Sequence, residues 1–88
     1  MPEALAGLAI ERMDLPAGAT MTGTPHTQGT REYLTCEHGR VELIVAGHRW
    51  LLDPGDVAVF RGDQRHSYHN AGKQPAVGYS VVVLARVL

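Results

Sequence analysis

Cysteine is almost missing from this 88-residue sequence, which has Cys36 alone. One thiol excludes an intramolecular disulfide, a Cys-x-x-Cys redox pair and a cysteine-built zinc framework. An excess of charge of either sign is missing too: 8 Lys plus Arg stand against 9 Asp plus Glu. That balance gives no general pull toward nucleic acid or anionic lipid, so direct nucleic-acid binding by this chain is not expected. No apolar run approaches the ~20 residues of a membrane span. The opening MPEALAGLAIERM has no basic segment ahead of an apolar one and does not read as a signal peptide. The expectation is a cytoplasmic protein with no membrane partner. Helical pattern is scarce as well. Glu3-Ala4-Leu5-Ala6 favours a helical turn at the start, but no helix of ordinary length follows, which excludes an α/β nucleotide fold.

Hydrophobic residues at 44% and charged residues at 19% describe a folded chain. Its length suits one domain, residues 1–88, with no linker or internal repeat. So short a chain buries a modest core, so a dimer interface or a metal would add useful stability. Ten glycines and five prolines punctuate β-branched runs at short intervals, the rhythm of an all-β barrel or sandwich. Strands are expected near 8–14, 20–24, 31–37, 41–46, 48–52, 57–60, 66–70 and 76–86. Turns are expected at Pro16-Ala17-Gly18, His38-Gly39, Ala46-Gly47, Asp53-Pro54-Gly55-Asp56, Gly62-Asp63 and Ala71-Gly72. Ala46-Gly47 should close a hairpin between residues 41–45 and 48–52. The final run, Val77 to Leu84, is apolar nearly throughout, so it belongs at the centre of a sheet or against a partner, and a homodimer is expected.

Two spaced sets of residues carry a family resemblance. His26-x-Gln28, then Glu32 and Gly39, keep the spacing of the first cupin motif, with Gln28 where that motif has its second histidine. Gly55, His66 and Asn70 keep the spacing of the second, with Arg61 and Asp63 replacing its Pro and Gly. Between them, Leu52-Asp53-Pro54-Gly55-Asp56 is similar to the usual approach to that second motif. The chain thus resembles the cupins from about Leu15 to Val83, with motif 1 near 22–39 and motif 2 near 55–70. The resemblance implies an all-β, small antiparallel jelly-roll barrel with a pocket at one mouth. More narrowly, Gly29 to Leu84 looks like the cupin sensor domain attached to bacterial helix-turn-helix regulators; no such helical headpiece is visible in this sequence.

Strand geometry adds its own reading. Alternate residues share a face, so His26, Gln28, Glu32, Leu34 and Cys36 fall together if no bulge intervenes, as do His66, Tyr68 and Asn70. Leu34, Cys36, Trp50, Phe60 and Tyr68 are candidate walls of a ligand pocket. His26, Glu32 and His66, with Gln28 as a weaker fourth, are candidate metal ligands. Two imidazoles and a carboxylate suit Fe(II), with Mn, Ni or Zn as competitors. The same residues also fit a metal-free pocket in which the histidines bond to Gln28 and Glu32. Cys36 reads as a small buried hydrophobe, and Asn70 as the fastener of a turn. Arg61 to Arg65, "RGDQR", reads as a solvated loop, with His38 and His48 on the surface.

Two functions follow. One is a module that binds or senses a small molecule, with or without a metal, related to regulator effector domains. The alternative is a metal-dependent enzyme (a dioxygenase, isomerase or lyase) with Tyr68 as a candidate proton mover. A third, structural reading makes the barrel chiefly a dimerisation unit.

Overall fold

The computed structural model describes residues 7–84. The helical turn expected in the first residues, and the extension of the last strand to 86, lie outside them. Eight strands run in order: β1 (Leu8–Leu15), β2 (Thr20–Gly23), β3 (Arg31–His38), β4 (Val41–Val45), β5 (His48–Leu52), β6 (Val57–Arg61), β7 (His66–His69) and β8 (Ala76–Val83). Each overlaps a run expected from the sequence, because the Gly, Pro and Asp punctuation cuts the chain where it turns. No helix occurs among the described residues.

The strands form two antiparallel sheets, ordered β1-β8-β3-β6 and β2-β7-β4-β5. Packed face to face, they make the double-sheet jelly roll that the motif resemblance implied. The apolar final run, β8, is indeed central, between β1 and β3. The β4–β5 hairpin turns on Ala46 (φ 48°) and Gly47 (φ 82°), the pair of positive φ angles that a two-residue type I′ turn needs.

Side chains alternate between a shared core and the outside. Leu34 and Cys36 of β3 meet Met13 and Leu15 of β1, Val41, Leu43 and Val45 of β4, and Tyr68 of β7, all nearly inaccessible to solvent. The odd-numbered residues of β3 point outward. They join a row across the outer face of the first sheet, where Ile10 pairs Val81, Val81 pairs Tyr33, and Tyr33 pairs Val59. Ile10 is 67% exposed and Val59 56%, so this face is apolar and open.

Two motif residues act on the frame. The Asn70 amide donates to the carbonyls of Leu15 (3.0 Å) and Gln74 (2.7 Å), and its oxygen accepts the Gly72 N–H (3.0 Å). It therefore ties β1 to the turn before β8, the fastening role expected of it. Gly39 has φ 72°, and a Cβ there would stand 2.8 Å from the Pro75 carbonyl oxygen. The site thus tolerates no side chain: left-handed geometry disfavours one and fixed backbone excludes it. We expect Gly39→Ala to lower unfolding free energy in urea by at least about 1 kcal/mol. Gly18→Ala, equally left-handed but facing open space, should lose distinctly less.

Candidate metal centre

The inner faces of β3 and β7 bring together the two halves of the sequence pattern. Glu32 sits near the start of β3, 1% exposed, and His66 opens β7, 2% exposed. His26 comes from the loop after β2, where its N–H donates to the Gly62 carbonyl (2.9 Å). That bond fastens the loop of the first motif to a turn within the second. One ligand atom from each of His26, Glu32 and His66 lies within 4.8 Å of the other two.

The electrostatics of this trio turn on Glu32. Its Oε2 accepts a hydrogen bond from the Tyr68 hydroxyl. Its Oε1 is buried and has no hydrogen-bond partner among the described residues. Facing Oε1 are His66 Nε2 at 3.4 Å and His26 Nε2 at 3.9 Å. His66 Nδ1 lies 2.8 Å from the Gln64 carbonyl, which only accepts, so Nδ1 carries the proton. In the neutral ring this leaves Nε2 with its lone pair turned toward Glu32. Second-sphere carbonyls commonly fix metal-bound histidines in this tautomer. The His66 lone pair and the nearby His26 Nε2, both facing a buried oxygen without a partner among the described residues, leave a place for a cation. A metal with bonds of about 2.1 Å spaces its ligand atoms roughly 3 to 4 Å apart, so the donor set fits such an ion.

Neighbouring residues set the geometry. A Cβ on Gly23 would fall 2.1 Å from His66 Nε2, so bare backbone of β2 is what allows the imidazole its position. The Phe60 ring meets His66 edge-on at 5.4 Å and Tyr68 does so at 5.7 Å, between ring centroids. A cavity of about 260 Å³ adjoins the trio, bounded by Glu11 and Met13 of β1, Met21 of β2 and Ser80 of β8. No lysine or arginine occurs among the described residues that line it.

The other expected site residues separate. Gln28 is exposed, on the turn at 27–29, and lines no part of this cavity. The alternation argument that grouped it with Glu32 needs continuous strand from 26 to 32, and this turn interrupts it. Leu34 and Cys36 do share the face of Glu32, but they lie in the closed core and line neither this cavity nor the cleft on the opposite edge. Burial, the leading cause, raises the Cys36 thiol above its ordinary pKa, so the sulfur stays protonated and inert. Trp50 and Phe60 line that opposite cleft. Sequence reasoning missed Gly23, Gln64 and Met21; a glycine ending a short strand was the only local signal for any of them.

Tyr68 titrates well above the ordinary phenol value, first because burial penalises the phenolate and then because Glu32 accepts its proton. Its contribution to stability is present below pH ~10 and falls as pH rises from there toward the raised value. Tyr68→Phe should therefore flatten the alkaline decline of stability measured by urea unfolding. At neutral pH the same variant should lose about 1–3 kcal/mol, because Oε2 of Glu32 loses the Tyr68 donor.

The comparisons with known proteins agree with the fold. Residues 11–82 match the family model described as the cupin domain. Over 70 residues the chain is 30% identical to the HTH-type transcriptional regulator SutR of Escherichia coli K12, covering 80% of this chain and 39% of that protein. The chain thus spans about two fifths of the curated relative it matches. The crystal structure of an HTH_3 family transcriptional regulator from Vibrio cholerae superposes with a TM-score of 0.82 at 26% identity, covering 91% of this chain and 44% of that one. A protein from Thermotoga maritima described as a predicted oxalate decarboxylase superposes with a TM-score of 0.75 at 25% identity, covering 86% of this chain and 65% of that one.

Proposed function

The chain belongs to the cupin domain family, and on that premise we propose that it is a small-molecule-binding sensor domain built around one divalent transition metal ion. The observation that carries the metal is Oε1 of Glu32, buried without a partner between two histidine nitrogens. His26, Glu32 and His66 hold the ion, Tyr68 orients the carboxylate, and the Gln64 carbonyl fixes the imidazole. Fe(II), Mn(II), Ni(II) and Zn(II) are all compatible with this donor set. Such an ion supplies Lewis acidity and open coordination positions for a small oxygen- or nitrogen-bearing molecule. Similarity to transcriptional regulators supports sensing, and the small cavity beside the trio gives the sensed molecule its place.

The enzymatic alternative is weaker for a chemical reason. A general acid or base works best with a pKa near the working pH. Tyr68, the candidate for that role, is buried, raised in pKa and committed to Glu32. It is better placed as a positioning residue than as a proton mover.

Apo protein loaded in turn with each of the four metals, then desalted, should retain close to one equivalent of at least one of them by elemental analysis. His26→Ala and Glu32→Gln should abolish retention. Gly23→Ala should lower it by displacing His66, and His48→Ala should not change it. Retention of no metal by the wild-type chain would sink the metal reading. The open apolar row on the first sheet supports a homodimer through that face. Sedimentation should then find a dimer that the double variant Ile10→Lys, Val59→Lys dissociates, and a wild-type monomer at 100 µM would dismiss it.

A further inference from the structure

We propose that the cleft between β5 and β6 is a second binding site, for a mainly apolar small molecule carrying an acidic group at one end. This goes beyond the metal reading and does not depend on it. β5 and β6 are the edge strands of their two sheets, and the sandwich stands open between them. The opening holds a cavity of about 570 Å³, within the roughly 300–1,000 Å³ of small-molecule sites. Trp50 pairs with Leu43 in the β4–β5 register, and Leu43 is a core residue, so Trp50 faces the inside of the sandwich. An inward tryptophan belongs under cover, yet this one is 50% exposed. Leu43, Val45, Ala58 and Phe60 complete the apolar walls.

The polar groups are sorted by end. Arg61 and Gln64 border the end beside Phe60, while Asp56 borders the other. Asp56 is turned back into its own loop, where its carboxylate accepts the Asp53 N–H (2.9 Å). Arg61 gives one hydrogen bond to Asp63 (3.0 Å), and its planar fork has further N–H groups for an oxyanion. Asp63 offsets the Arg61 charge, so it is the remaining guanidinium N–H groups that favour an acidic group at that end, with the apolar body lying along Trp50. Phe60 forms the partition: it lines the cleft and packs edge-on against His66, so the cleft is separate from the cavity at the trio.

Trp50 is the sole tryptophan of the chain, so its fluorescence reports on this cleft alone. Titration with 4-nitrobenzoate, a quencher with the proposed chemistry, should give saturable quenching. 4-Nitrobenzyl alcohol, its neutral counterpart, should bind about fivefold more weakly, and Arg61→Ala should erase that preference. Ala58→Phe, or Ala58→Leu should the larger ring unfold the chain, should fill the cleft and remove saturation. Glu32→Gln should leave the binding within about twofold, whatever becomes of the metal. Linear quenching matching that of free N-acetyltryptophanamide would overturn the site, as would saturation that survives the Ala58 variant or disappears with Glu32→Gln. Equal binding of acid and alcohol would overturn its acidic specificity.

Discussion

A carboxylate that cannot reach water organises this molecule. Glu32 lies near the start of a central strand with 1% of its surface exposed, and a bare charge at such a place is strongly disfavoured. Its two oxygens solve that problem differently. Oε2 takes the Tyr68 hydroxyl from the opposite sheet. Oε1 takes no hydrogen bond among the described residues, and the nitrogens facing it belong to two imidazoles. Asp63 Oδ1 is also buried without a hydrogen-bond partner among the described residues, so what sets Glu32 apart is that two histidine nitrogens face its open oxygen. Asn70, by contrast, is satisfied on all its polar atoms. Under the proposed function, the open side of Glu32 is where the ion would sit.

The rest of the architecture serves that imbalance. Glu32 and Tyr68 are 36 residues apart, so their contact exists only when both sheets are paired and packed. His26 joins them through a loop pinned to Gly62, and His66 fits because Gly23 offers no side chain. Each is a long-range condition met by a short-range device: a glycine, a turn or a backbone carbonyl. This explains how residues of both motifs come together although neither motif contains all three.

What the sequence disclosed follows the same division. Strand positions, the β4–β5 turn and the central place of the last run were legible because local residues decide them: Ala46-Gly47 sets a hairpin, and an unbroken apolar run cannot sit at a wet edge. The trio His26, Glu32 and His66 was legible through spacing. Gln28 was not, because alternation describes a strand, and residues 27–29 form a turn. Trp50 and Phe60 were read as walls of the same pocket as Tyr68. Parity puts them on inward faces, as the structure does, but parity cannot say on which edge of the sandwich an inward side chain emerges. The Tyr68–Glu32 bond was invisible for a similar reason, since it depends on how two sheets stack.

The two openings of the sandwich also differ in charge, and that difference links metal to ligand. The cavity at the trio is bordered by two carboxylates, Glu11 and Glu32, with no lysine or arginine among its described lining residues. An anion approaching it meets like charge, and a dry interior magnifies that repulsion. A divalent ion held by His26, Glu32 and His66 would reverse the sign locally and supply an anion with a binding partner. Under the proposed function, anionic ligands at this cavity therefore bind only the metal-loaded chain, whereas neutral or cationic ones do not need it. By reciprocity an anion that needs the metal must also tighten it, so the same buried oxygen that calls for a cation would make the domain's response depend on metal supply.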